Sequence, residues 1–569
     1  MSTRTAVVSL MVLSAGAALA APLVTAWHPR TLLPIVGAAT LVLAWSFRTP
    51  RAVNLFEPIT FLSWTHYAPA YVVGTFLLAI GAVAYPYSGL VADPVASCTL
   101  AMLYTFIGYL ALRVGAGWEG THAVGRRLAA RLPAPPAAGP PMSGILVLIG
   151  LGMTANYGAF RAGVIGFAVP GVAGPFDAAV SYAGALLSLG HFLFWHRWFD
   201  PAQPRLPRTF LIVPAVLVLY SMTLSGNRGA LLAAYLVAAL AFRFTRGRLT
   251  LRQNVVVVIL AVVALAVGMV YGSLFRVLKG GETTAPAVTE DTSAPAVIED
   301  TTAQPPADQT SRRALTPPLG RAAPRTTAAD VSPAAPAAPQ RPRVGITRAE
   351  PPAAAKQSMG RQVSVAAETV GVLLTDPGTA RFGTILAGAG QRLNLVSDVS
   401  VTVARYPALR PLEAEYGVSD LWTTTWTGFV PRALWPDKPR VSDARAYAAL
   451  YFGWDGNSFA STPPTDLLRN AGPLAIAPGM ALLGLVLGVL RVALTASSGA
   501  VSAERAALFS ILLVSINLEG MYGLLLPGAV RVGAVALAGL VLLRVWPGRN
   551  GAGASVRLAV TALRQNDRP

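Results

Sequence analysis

Apolar stretches long enough to cross a bilayer recur about twelve times along this chain, and that recurrence leaves it few ways to fold. A hydrocarbon core about 30 Å thick takes roughly 20 helical residues to cross. The first run, TAVVSLMVLSAGAALAAPLVTAW, follows Arg4 and contains the small-residue stretch AGAALAAP, as a secretory leader would, but its length reads as a spanning helix. Further runs lie at about 31–47, 58–84, 95–114, 142–160, 177–195, 209–225, 229–242, 254–275, 471–490, 506–526 and 529–546. The shorter ones, notably 229–242, must draw on flanking residues or sit in thinned bilayer. Composition agrees, since 569 residues at 54% hydrophobic and 12% charged are too apolar for a soluble protein of this size. The expectation is an all-α polytopic membrane protein with about 12 transmembrane helices and one large extracytoplasmic loop.

Charge placement orients the helices. The 45 Lys and Arg outnumber the 26 Asp and Glu, which raises the question of a nucleic-acid partner. The arginines instead gather in every second loop: Arg48 and Arg51, then Arg113, Arg126, Arg127 and Arg131, then Arg197, Arg205 and Arg208, then Arg243, Arg246, Arg248 and Arg252, and the tail from Arg544 to Arg568. Intervening loops are short and nearly free of basic residues. This is the positive-inside pattern, with both termini cytoplasmic. No nucleic acid is needed to account for it. Cys98 is the only cysteine, so no intramolecular disulfide or Cys-based zinc site can form.

Five regions follow: helices one to nine in 1–275, an extracytoplasmic segment 276–358, a second extracytoplasmic part 359–470, helices ten to twelve in 471–546, and a basic cytoplasmic tail 547–569. Residues 280–358 hold thirteen prolines among Ala and Thr and almost no large apolar side chain. Too little apolar surface is available there to offset ordering entropy, so disorder is expected. Residues 359–470 carry Trp422, Trp426, Trp435, Trp454 and several tyrosines, and read as an ordered, partly helical cap on the membrane surface.

Two elements suggest chemistry. Arg228, in SGNRGALL between two apolar runs, is costly to hold so close to hydrocarbon and is a functional candidate, unless it snorkels to the interface. In FVPRALWPDKPR (429–440), three prolines fix an extended path that would present Arg432, Lys438 and Arg440 rigidly, which suits a diphosphate. A structural turn with Trp435 against headgroups is the alternative. Glu519, in NLEGMYG near the outer end of helix eleven, could hold a sugar hydroxyl or pair with Arg228. Asp420, Asp437, Asp455, Asp466, Glu413 and Glu415 are unranked as general bases, and each could simply be a surface carboxylate. The histidines lack metal-ligand spacing and read as packing or interface residues, so neither metal nor cofactor is expected.

The SxxRG turn at 225–229, GQRLN at 390–394, VPRALWPDKP at 430–439 and TPPTDLLRNAGPLAIAPGMALLG at 462–484, in this order, resemble the Wzy-type O-antigen or oligosaccharide repeat-unit polymerases. The resemblance spans roughly 56–546 in topology but only short stretches in residues, and the 280–358 insert departs from the family pattern. It implies a GT-C-like, metal-independent glycosyltransferase acting outside the cytoplasm on polyprenyl-diphosphate-linked sugars. Arg228, Arg392, Arg432 and Lys438 would then neutralise the departing diphosphate. Arg405, Arg440, Arg469, Asp437 and Glu519 would help bind substrate. Membrane lipid, the lipid-linked oligosaccharide, a chain-length regulator and a flippase are the implied partners. An O-antigen ligase shares this logic and differs in acceptor. A transporter of lipid-linked sugars would instead show internal repeats and broken midplane helices.

Overall fold

A computed structural model describes residues 28–46, 54–132, 139–162, 180, 182–225, 229–247, 249–281, 359–375, 390–391, 393–430, 434–435, 438, 444–453, 461–495, 501–516 and 518–545. All of these belong to one compact unit. The first apolar run, the insert and the basic tail lie outside them, as do Arg228, Arg392, Arg432, Asp437 and Arg440.

Among the described residues every regular element is helical. In chain order they are α1 (Leu33–Ser46), α2 (Pro58–Leu62), a π-helix (Ser63–Val73), α3 (Gly74–Ala79), α4 (Pro94–Gly117), α5 (Glu119–Arg131), α6 (Met142–Arg161), α7 (Ala185–Phe199), α8 (Ile212–Ser225), α9 (Ala230–Arg246), α10 (Leu251–Gly281), α11 (Met359–Thr375), α12 (Leu395–Leu409), α13 (Leu421–Phe429), α14 (Ala444–Phe452), α15 (Pro463–Ala471), α16 (Ile476–Thr495), α17 (Ala503–Ser515) and α18 (Tyr522–Val545). Five segments are long and apolar enough to cross a membrane: Pro94–Gly117, Met142–Arg161, Leu251–Gly272, Pro473–Thr495 and Tyr522–Val545. The chain is a multi-pass membrane protein. In the run at 58–84 the chain is helical without a break from Pro58 to Ala79, but Pro69 lacks the N–H an α-helix needs and the middle of the run widens into the π-helix.

Local sequence sets the helix starts. Asp93 caps α4 by accepting from Ala96 N–H at 3.0 Å, with Pro94 at the first helical position. The apolar runs 506–526 and 529–546 suggest a break at Pro527. The chain breaks earlier instead, between Ser515 and Tyr522, and Pro527 lies inside α18 near its N-terminus. An Asp466 carboxylate oxygen accepts the Gly523 N–H at 3.3 Å and so satisfies one of the open donors of that first turn. Glu519 consequently sits in an exposed turn between α17 and α18.

The seam between α4 and α16 shows how the bundle holds without a hydrophobic drive between helices. A Cβ at Gly108 would meet Met480, one at Gly484 would overlap the Leu112 carbonyl, and one at Gly488 would meet Ala116, so the two helices run in step and in the same direction. Only glycine permits the backbone approach at Gly484, and small residues are what let membrane helices pack this closely.

The 359–470 part does more than lie over the bundle. Helix α11 packs on α10 through Tyr271, Phe275, Val365 and Ala366. Helix α12 buries Val396, Val399 and Val403 in the main apolar core. Thr424 and Gly428 of α13 meet Gly523 and Pro527 of α18 in turn, so α13 runs alongside the first turns of a spanning helix instead of over its end.

Candidate functional site

Lys438 is nearly enclosed, and its Nζ donates to the Thr427 and Val430 carbonyls at 2.8 and 2.9 Å. These acceptors lie at the C-terminal end of α13, where the dipole is negative, so a cation is well placed. Trp435 folds back too, its ring centred 5.6 Å from that of Trp426. The VPRALWPDKP segment is thus pinned to α13 at Trp435 and Lys438.

Arg469 is 1% exposed and is the hub of a buried network. Its Nε and NH2 donate to Asp466 Oδ1 at 3.0 and 2.7 Å, NH1 donates to Glu413 Oε2 at 3.1 Å, and NH2 also reaches the Ser419 carbonyl at 2.9 Å. Glu413 Oε1 accepts the Tyr451 hydroxyl at 2.8 Å. Burial works against the Arg469 charge, but Asp466 and then Glu413 outweigh it and hold its pKa above the ordinary arginine value. Burial also pushes the Tyr447 phenol up to about 12, so it stays protonated as it bonds Thr402. Arg405 bonds the Tyr451 carbonyl at 2.6 Å. Arg405 and Arg469 therefore lie within one knot joining α12, α14 and α15, and the bonds recorded for Arg469 are structural.

Glu519 borders a narrow cleft of about 10 Å³, room for roughly one water. His66, Tyr67 and Tyr71 of the π-helix form one wall; Pro463 and Pro464 of α15, Leu395 and Leu518 complete it. The widened π turn brings these three side chains to one face, and such turns recur at functional sites. Ser63 Oγ lies 2.8 Å from the Tyr109 hydroxyl and fixes the π-helix against α4.

Comparison with known proteins leaves the family open. No family model, no curated protein and no solved structure matches the chain.

Of the nine site residues expected from sequence, Lys438, Arg405, Arg469 and Glu519 lie among the described residues, and only Glu519 borders the cleft. Sequence reasoning missed His66 and Tyr71, which carry no spacing signal, and Arg531. The last had a signal: a lone arginine nine residues into α18, whose other charge, Arg544, pairs with Glu504 at 2.6 Å.

Proposed function

We propose that this protein is a polymerase that joins polyprenyl-diphosphate-linked oligosaccharide repeat units into a surface polysaccharide at the outer face of the bacterial inner membrane. About twelve membrane crossings, cytoplasmic termini and a GT-C-like arrangement belong to this reading. Its main support is the VPRALWPDKP element, of which Lys438 and Trp435 are held against α13. The common direction of α4 and α16 agrees with an even number of crossings between their starts.

In this reaction a hydroxyl of one lipid-linked unit attacks the anomeric carbon of the other chain. The bond from that carbon to the diphosphate oxygen breaks, and its electron pair leaves with polyprenyl diphosphate. Arg228, Arg392 and Arg432 would neutralise that charge without a metal or cofactor, and Lys438 would hold the segment carrying Arg432. The attacking hydroxyl must lose a proton, and Glu519 and His66 are the groups in the cleft able to take it. Trp422 and Trp426, both exposed on α13, suit contact with lipid.

The test is chain extension by purified full-length protein in nanodiscs supplied with a lipid-linked oligosaccharide. Longer lipid-linked glycans are expected from wild type and none from Arg228→Ala or Arg432→Ala, with the protein still inserting normally. Transfer only to a lipid A core acceptor would identify a ligase, and lipid movement without new glycosidic bonds a transporter. Either outcome would refute the polymerase reading.

A further inference from the structure

Arg531 is held unlike Arg491 and Arg544, each of which has a carboxylate partner. Arg491 of α16 has Glu57 at 3.5 Å, and Arg544 has Glu504 at 2.6 Å. Arg531 NH1 donates to the Tyr182 hydroxyl at 2.6 Å, with its guanidinium carbon 5.0 Å from the ring centre. Among the described residues no carboxylate lies within ion-pair distance of it. A guanidinium carries five N–H donors, and a phenol satisfies one without balancing the charge.

Tyr182 also lines a cavity of about 370 Å³ between α6, α7, α9, α17 and α18. Val532, next to Arg531, forms part of the wall, and Asn156, Ser188 and Ser515 add polar groups to it. Val237, Ile511 and Val514 make the remainder apolar. The volume is that of a small-molecule site, and the mixture suits a ligand with an anionic head and a hydrocarbon body. Holding a charge at this depth is costly, which is why such residues mark ligand or ion sites.

We propose that this cavity binds the diphosphate head of an isoprenoid lipid, with Arg531 as its cation, Tyr182 orienting the guanidinium, and Asn156 and Ser188 bonding phosphate oxygens. The choice of an isoprenoid rests on the polymerase reading; the anion site does not.

The experiment uses full-length protein in phosphatidylcholine nanodiscs, titrated calorimetrically with farnesyl diphosphate and, separately, with inorganic diphosphate. Wild type should bind farnesyl diphosphate, and Arg531→Ala should weaken it by about tenfold to a hundredfold, the range for losing charged hydrogen bonds. Arg531→Lys should lose less, because it keeps the charge without the fork. Val532→Trp, which fills the cavity and leaves the charge, should also weaken binding about tenfold, keeping the test open if an Arg531 variant misfolds. Unchanged affinity in the Ala and Trp variants, or no binding by wild type, would overturn the site. Equal affinity for inorganic diphosphate would overturn the lipid assignment. Binding of farnesyl diphosphate without chain extension by wild type would refute the polymerase and leave the site standing, whereas extension with binding unaltered in Arg531→Ala would do the reverse.

Discussion

Helix α15 carries an arginine enclosed by two carboxylates, whereas α18, packed against it, carries one bonded to a phenol that lines a cavity. Both residues are guanidinium groups on helices, and sequence alone singled out Arg469 as a substrate-binding cation while passing over Arg531. Around Arg469 the surrounding fold has already supplied the counter-charge, so removing the arginine strands Asp466 and Glu413 in a buried site. Around Arg531 no described carboxylate does so, and removing the arginine strands no described carboxylate. Partnership, rather than residue type or depth, separates a cation that holds the fold from one available to a ligand.

The comparison is broken most directly by two substitutions with opposite expected signs. Arg469→Leu should destabilise the protein by about 3–5 kcal/mol, the usual result of breaking a buried pair from one side. Loss of monodisperse protein on fluorescence-detected size exclusion would register it, and an unaltered profile would mean the network is not structural. Arg531→Leu should instead stabilise ligand-free protein, by up to roughly 2–3 kcal/mol on insertion scales and seen as a raised melting temperature, because it removes an intramembrane charge. A marked drop in that melt would show that Arg531 too is a structural partner.

A finer test is Glu413→Gln. The amide oxygen can still accept from Tyr451 while the charge opposite Arg469 is lost, so a cost of about 1–2 kcal/mol is expected, well below that of Arg469→Leu. Equal costs would place the weight of the network on Glu413 rather than Asp466.

The smallest effect should come from acid. Asp420 caps α13 by accepting from the Thr423 N–H and hydroxyl at 2.8 and 2.6 Å. Partial burial opposes its charge, but these bonds outweigh it and lower its pKa below the usual 3.8. The stabilisation is therefore fully present above about that pH and fades as pH falls through the lower folded value. Amide exchange at Thr423 and Thr424, corrected for intrinsic rates, should accelerate below that window in wild type and not in Asp420→Asn. Deleting 285–350 should leave chain extension mostly intact, measured in the same nanodisc assay.

The membrane part of the fold was legible where physics is one-dimensional. A span must be about as long as the bilayer is thick, so α4, α6, α10 and α16 could be read from run length alone. The cap was only partly legible. LWTTTWTGF is nine residues of mixed polarity, and nothing in it says that α13 lies beside α18. The helix break at 516–521 was misplaced to Pro527 because proline is tolerated near a helix start, and the group capping that start, Asp466, is 57 positions from Gly523.

By itself, then, the sequence determined that this chain is helical, lives in a membrane and crosses it repeatedly, because the solvent imposes a length and polarity on every segment independently. Tertiary structure alone decided what each charge is for. Glu413 and Arg469 are 56 positions apart, and Tyr182 and Arg531 are 349 apart. A guanidinium's role depends on whether a counter-charge stands within a few ångströms, and only packing brings such distant residues to that range.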